Sequence, residues 1–224
     1  MSRVVTFDAG ETLVELDLDF LAARLVSKHI DTTGAALTAA LPTAWRRHDS
    51  LGDVGHEARW RALMTTLLDG AGVPGSSIGG AVDWLWREQP RANLWRKPIA
   101  GVVEVTRELA AAGVQLGVVS NSEGTIGALL AEVGIACGPV IDSGVVGVAK
   151  PDPAIFALAL AQTGGAPADA IHVGDSWAAD VEGALAAGWR AVWYGRRAEP
   201  RDRPGVAIAR DGAELRAVLA RWLG

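Results

Sequence analysis

Apolar residues fall along this 224-residue chain in two rhythms. Residues 1–13 and roughly 98–224 alternate short Val/Ile/Ala-rich runs with stretches whose apolar positions recur every three to four residues, and glycines punctuate the ends. Val4-Val5-Thr6-Phe7 is the first run, and Val114 to Ser120, Pro139 to Asp142, Ala170 to Gly174 and Arg190 to Trp193 follow. Helical patterns cover Gly101 to Ala112, Glu123 to Val133, Pro153 to Gln162, Asp180 to Ala187 and Ala213 to Trp222. Short buried strands alternating with amphipathic helices predict an α/β fold whose parallel sheet is covered on both faces.

Residues 15–97 lack that rhythm. Helical patterns surround Asp19 to His29, Leu37 to His48, Gly55 to Ala71 and Ile78 to Glu88, with no strand expected between them. Five of the nine tryptophans, Trp45, Trp60, Trp84, Trp86 and Trp95, lie in or just after this stretch. The economical reading is a core of residues 1–14 and 98–224, interrupted by an all-helical insertion of residues 15–97. Neither an internal repeat nor a low-complexity tract is visible.

Composition narrows the function classes. Half of the residues are hydrophobic, enough for a sizeable core, and the net charge of −5 provides no electrostatic footprint for nucleic acid. No basic amphipathic helix points to a membrane surface, and no apolar stretch reaches membrane-spanning length. The segment from Arg196-Arg197 to Arg203 is broken by Glu199, Asp202 and two prolines, so it reads as a solvated loop. The single cysteine, Cys137, excludes an internal disulfide and sits among apolar neighbours as a buried structural thiol. A charged Asp8 arrives too early for a signal peptide, so cytoplasmic location is the expectation. Nothing in the pattern specifies an oligomeric state.

Candidate chemistry gathers where strands end. Asp8 follows the first run and opens Asp8-Ala9-Gly10-Glu11-Thr12-Leu13; Ser120 closes Val118-Val119-Ser120 and precedes Asn121-Ser122. Lys150 lies in Ala149-Lys150-Pro151-Asp152-Pro153, ahead of a helix, and is one of only three lysines against eighteen arginines. Asp175 follows His172-Val173-Gly174, with Asp180 five residues later at a helix start. Taken singly these residues read as turn and cap residues, and His172, alternating with apolar neighbours, as a core histidine. Together they form a set. A carboxylate attacks phosphorus only where its repulsion from a phosphate dianion is cancelled. Asp8, Asp175 and a backbone carbonyl offer a hard cation such as Mg²⁺ oxygen ligands, and Lys150 adds fixed positive charge. Ser120 and nearby backbone N–H groups would hold a phosphate oxygen, with Asp180 orienting the metal shell or Lys150 from behind.

These four segments, in this order and spacing, resemble the motifs of the haloacid dehalogenase-like (HAD) hydrolase superfamily, in its branch with a helical cap. The resemblance spans nearly the whole chain. It implies a Rossmann-like core, a mobile cap closing over the site, Mg²⁺ held by Asp8, the Gly10 carbonyl and Asp175, with Asp180 as ligand or support, and an aspartyl intermediate on Asp8. It places Ser120, Asn121 and Lys150 beside the substrate phosphate, and a small phosphorylated metabolite as substrate.

One position departs from the pattern. Phosphatases of the superfamily carry a second Asp two residues after the nucleophile, which protonates the leaving group; here that position is Gly10. Acid–base help of this kind is worth roughly 10² to 10⁴ in rate. Glu11 is the nearest substitute carboxylate, although its backbone vector is expected to point elsewhere. A phosphohydrolase favouring leaving groups that depart without a proton is the leading expectation, and a binding or regulatory protein on the same scaffold is the alternative. A 2-haloacid dehalogenase is disfavoured by Gly174-Asp175, where dehalogenases resemble Ser-Asn. A phosphonate hydrolase would need a cap lysine, for which Lys28 and Lys97 show no distinctive setting. Within the insertion, Trp45 and Arg46 of Trp45-Arg46-Arg47 are the candidates for contacting an anionic substrate.

Overall fold

The computed structural model describes residues 3–52, 54–195 and 201–224. It divides into two compact units, one of Met1–Leu16 with Trp95–Gly224, the other Asp17–Leu94. The described strands of the first unit are β1 (Val4–Phe7), β2 (Val14–Leu16), β3 (Trp95–Pro98), β4 (Gln115–Ser120), β5 (Val140–Asp142), β6 (Ala170–Gly174), β7 (Arg190–Tyr194) and β8 (Val206–Ala209). Six of them form a parallel sheet in the order β5-β4-β1-β6-β7-β8, a Rossmann-like arrangement flanked by helices.

β1 occupies the middle because all four of its residues are buried and its side chains serve both faces. Val5 and Phe7 join Leu116, Val118, Ile171 and Val173 in one apolar layer, while Val4 joins Val119, Ile141, Ala170 and Ala191 in the other. A strand covered on both faces reads as a continuous apolar run rather than an alternating one. Helices of this unit are α5 (Ala100–Ala111), α6 (Ile126–Glu132), α7 (Ser143–Val146), α8 (Pro153–Thr163), α9 (Gly183–Ala186) and α10 (Gly212–Leu223), numbered after the four helices of the second unit. Side chains cap several of them: Asp152 accepts from the Ala154 N–H at 2.9 Å, and Asp211 from Ala213 and Glu214, each at 2.9 Å.

Three strands escape the hydrophobic pattern. β8 is a short, mostly half-buried edge strand. β2 and β3 pair as an antiparallel ribbon, with Val14 opposite Pro98 and Glu15 opposite Lys97, whose Nζ lies 3.0 Å from Glu15 Oε1. Three- and four-residue strands carrying charges are too short to show a period of two. The ribbon joins residues 15–16 and 95–97 to the core unit, so the units part after Leu16 and before Trp95, a few residues from the boundaries read from sequence.

The second unit holds α1 (Leu18–Val26), α2 (Gly34–Asp49), α3 (His56–Gly70) and α4 (Gly75–Glu88). Leu21, Leu25, Leu37, Leu63, Leu67 and Leu85 are among its buried residues. Asp17 caps α1 through the Phe20 N–H at 2.9 Å, and the Arg24 guanidinium stacks over Trp84 while donating to Ala92 O at 2.8 Å. Among the described residues no helix is long and apolar enough to cross a membrane. Arg196 to Pro200 of the expected solvated loop lie outside the described residues, whereas Arg201 to Arg203 are exposed.

Candidate active site

Parallel ladders deliver the candidate residues to one edge of the sheet. Phe7 stands opposite Val118 on β4 and Val173 on β6, so the residues that follow, Asp8, Val119-Ser120 and Gly174-Asp175, emerge side by side at the carboxyl ends. The Asp8 N–H donates to Val173 O at 2.8 Å, which fixes the nucleophile candidate one residue beyond the ladder. β1 lies between β4 and β6, with the remaining strands added outward on either side, and such a reversal of strand order opens a crevice for ligands.

Lys150 reaches this edge from the loop before α8, and its side chain is buried. All three of its ammonium hydrogens are engaged: Nζ donates to Asp8 Oδ1 at 2.7 Å, to Asp180 Oδ1 at 2.6 Å and to Val119 O at 2.7 Å. Asn121 clamps the backbone of the same residue, its Oδ1 accepting from Lys150 N at 2.8 Å and its Nδ2 donating to Lys150 O at 2.9 Å. Asn121, expected at the substrate, thus uses both ends of its amide to hold Lys150. The Lys150–Pro151 peptide is cis.

Asp180 lies inside a widened helical turn, Trp177–Glu182, where Ser176 O accepts from both Asp180 N and Val181 N. Its Oδ2 accepts from Ser176 N at 2.8 Å, and its Oδ1 takes Lys150 and, at 3.1 Å, His172 Nε2. This approach depends on Gly174, since a Cβ there would stand 2.2 Å from Asp180 Cγ. Asp180 thus contacts Lys150 directly. Trp193 Nε1 donates to Asp175 O at 2.9 Å and holds the loop after β6.

Charge within the cluster is uneven. Burial works to raise the pKa of Asp180, but Lys150 and the His172 hydrogen bond outweigh it and hold the group well below the ordinary carboxylate range. For Lys150, burial acts downward and Asp180 with Asp8 more than compensates, so the ammonium is retained. Asp8 fares differently: burial raises its pKa and the Asp180 charge adds to that, while Lys150, shared between two carboxylates, restores only part. Asp8 thus shares the Lys150 ammonium with Asp180 and is the less well compensated of the two. Asp8, Asp175 and Asp180 each place a carboxylate oxygen within 4.8 Å of the others, an all-oxygen donor set that fits a hard divalent cation.

Ser120 is buried at the end of β4, and its hydroxyl forms no hydrogen bond among the described residues. Ser122 Oγ and Thr12 Oγ1, in the loops after β4 and β1, are buried without partners among those residues, as hydroxyls are where a ligand or solvent completes them. Gly10 bridges to Val14, and a Cβ placed on it would meet only Trp95 Cδ1, at 3.7 Å. Glu11 takes a left-handed conformation, φ 54°, and its Oε1 accepts from Trp95 Nε1 at 2.9 Å. Trp45 and Arg46 belong to α2 in the other unit. Trp45 meets His48 edge to face, and Arg46, exposed, donates to Thr43 Oγ1 at 2.8 Å.

Thr6 and His172 join the cluster although the pattern placed them in the core. The signal was a polar residue embedded in each of two apolar strands, a few positions before an Asp. Cys137 is buried as expected, and burial pushes its thiol up to about 12.

Comparisons with known proteins agree with this arrangement. A family model of haloacid dehalogenase-like hydrolases matches residues 3–188. The phosphoserine phosphatase of Thermus thermophilus is 34% identical over 192 residues, which cover 81% of this chain and 74% of that protein. Among solved structures, the HAD-hydrolase YfnB of Bacillus subtilis, bound to magnesium, aligns over 97% of this chain and 98% of its own with a TM-score of 0.66 and 20% identity. A 2-haloacid dehalogenase from Pseudomonas syringae aligns over 99% and 100% with a TM-score of 0.59 and 26% identity. The chain belongs to the haloacid dehalogenase-like hydrolases. It is a hydrolase built on a Rossmann-like sheet, with an acidic cluster at the carboxyl edge able to hold a metal ion.

Proposed function

We propose that this hydrolase is a cytoplasmic, Mg²⁺-dependent phosphohydrolase acting on a small phosphorylated metabolite through an aspartyl-phosphate on Asp8. The observation that carries the reading is the gathering of three carboxylates, Asp8, Asp175 and Asp180, at the carboxyl edge of the sheet, where Asp8 and Asp180 share the Lys150 ammonium. A metal-independent dehalogenation needs no third carboxylate, Asp175, beside Asp8 and Asp180. Asp8, the Gly10 carbonyl and Asp175 would hold Mg²⁺, with Asp180 behind them. When bound, the ion neutralises carboxylate and phosphate charge that otherwise repel each other.

Lys150 holds Asp8 Oδ1, so Oδ2 is the oxygen presented for attack on phosphorus. The new Asp8–phosphorus bond forms as the bond to the leaving oxygen breaks, and the leaving group takes the electron pair. The Ser120 hydroxyl, with loop N–H groups, binds a phosphoryl oxygen as charge builds there. Water then attacks the phosphorus, its proton passing to solvent as the bond between phosphorus and the Asp8 oxygen breaks, which releases phosphate and restores the carboxylate. No carboxylate stands at position 10 to protonate the leaving oxygen, so acyl and aryl phosphates are favoured over alkyl esters. Trp45 and Arg46 are proposed contributors to substrate choice.

A panel of acetyl phosphate, p-nitrophenyl phosphate and phosphoserine, assayed with Mg²⁺ and with Asp8→Asn as control, tests this reading. Phosphoserine is the compound named for the Thermus relative and serves as the alkyl ester. Turnover is expected to fall steeply as leaving-group pKa rises and to vanish in Asp8→Asn. Equal rates across the panel contradict the leaving-group argument. Chloride release from a 2-haloacid without metal would replace the phosphatase reading with dehalogenation.

A further inference from the structure

A buried hydrogen-bond chain extends from the site into the sheet. Thr6 Oγ1 lies 2.8 Å from His172 Nδ1, and His172 Nε2 lies 3.1 Å from Asp180 Oδ1, the oxygen that also accepts from Lys150. Thr6 and His172 are both fully buried. They face each other across the β1–β6 ladder, on the side otherwise filled by Val4, Ala170 and Val119. Phe156 packs edge-on against the imidazole at 5.2 Å, closing its flank.

The direction of each bond follows from what each group can do. Asp180, ionised beside Lys150, has only lone pairs to offer, so His172 Nε2 must carry a hydrogen. At Nδ1 the partner is the Thr6 hydroxyl, 2.8 Å away, which holds the ring from the side opposite Asp180. Three donors then converge on one carboxylate, from His172, Lys150 and the Ser176 N–H. A carboxylate held at three points cannot rotate, and Lys150 depends on its orientation to reach Asp8.

We infer that His172, held by Thr6 at Nδ1 and donating through Nε2 to Asp180, is a positioning residue that sets Asp180 and, through Lys150, the orientation of Asp8. The inference rests on the reading of Asp8 as nucleophile. His172 touches no reacting atom; it acts by removing a rotational freedom from the group that carries Lys150. The same logic gives Thr6, at first sight a β-branched strand residue, a defined part in the site.

The test pairs kinetics with a signature that needs no substrate. His172→Leu and Thr6→Val are expected to lower kcat for p-nitrophenyl phosphate about tenfold or more while KM stays within about twofold. His172→Gln, whose amide donates to Asp180 and accepts from Thr6, is expected to recover most of the loss. In ¹⁵N-labelled wild type, His172 is expected to show a protonated, hydrogen-bonded Nε2 at neutral pH, with Thr6→Val disturbing the ring signals. An unprotonated Nε2, or Gln and Leu variants that lose kcat equally while folded, would overturn the inference. Unchanged kcat in a folded Thr6→Val protein would do the same. A wild type inert toward every phosphate defeats the phosphohydrolase reading and the kinetic half with it, while the ¹⁵N pattern still decides whether Nε2 donates to Asp180.

Discussion

Lys150 Nζ stands 2.6 Å from Asp180 Oδ1, with both side chains almost wholly removed from solvent. Removing one partner of such a pair strands the other charge. Lys150→Met is expected to cost about 3 to 5 kcal/mol of stability, as is typical when a buried ion pair is broken from one side. Adding Asp180→Asn to it should cost less than the two single losses combined, because the stranded charge goes as well. Urea denaturation of the three variants measures both quantities.

Gly174 makes room for that carboxylate. Its missing side chain would stand 2.2 Å from Asp180 Cγ and 2.6 Å from Asp180 Cβ. Gly174→Ala should therefore displace Asp180, with about 1 to 3 kcal/mol of overpacking cost and a parallel fall in kcat. Melting curves and steady-state rates on one preparation check the pairing of the two effects.

Position 10 tolerates a side chain. Gly10 lies outside the left-handed region, and its Cβ would make one ordinary contact, with Trp95 Cδ1 at 3.7 Å. Gly10→Asp is expected to fold normally and to raise phosphoserine hydrolysis by about tenfold or more, toward the range of acid–base assistance. Aryl phosphate turnover should change far less, and the ratio of the two rates is the measurement.

Glu11 is engaged with Trp95 Nε1 at 2.9 Å. Glutamine keeps an oxygen there, so Glu11→Gln should leave turnover within about twofold and the pH profile unmoved. Glu11→Ala removes the acceptor and should lower stability by about 1 kcal/mol, the usual net worth of a hydrogen bond. A Glu11→Gln protein with a shifted profile would return Glu11 to the mechanism.

Folding stability should depend on pH through His172, whose pKa burial holds below its ordinary 6.5. The unfolded chain then binds a proton near pH 6.5 that the folded protein refuses. Stability attributable to this group is complete above that pH and declines as pH falls through the window below it. The slope is at most about 1.4 kcal/mol per pH unit for one proton. Comparing denaturation midpoints of wild type and His172→Gln from pH 7.5 to 5.5 isolates the contribution: the wild type should lose more stability across that interval.

Much of the fold was visible as pattern. The central strands carry enough consecutive buried residues to announce themselves, and β1 and β6 needed no tertiary information to be found. β2, β3 and β8 lacked such a run, because Glu15 interrupts β2, β3 is half-buried to exposed and β8 is mostly half-buried. Asp8, Ser120, Lys150, Asp175 and Asp180 were legible because strand ends and small-residue loops flag themselves. The work of Asn121 was not. Its amide looks equally suited to a substrate and to the Lys150 backbone, and only the folded loop shows which it meets.

Sequence by itself determined the family, the order of the sheet-edge motifs and the absence of a carboxylate at Gly10, since each depends on residue identity and spacing along the chain. Tertiary structure decided how charge is shared among those residues. That Lys150 divides one positive charge between Asp8 and Asp180, and that Thr6 and His172 brace Asp180, follows from contacts between residues as many as 166 positions apart. Hydrogen bonds and Coulomb forces act over a few ångströms, and the register of a parallel sheet, not the spacing of a motif, brings such distant groups within that range.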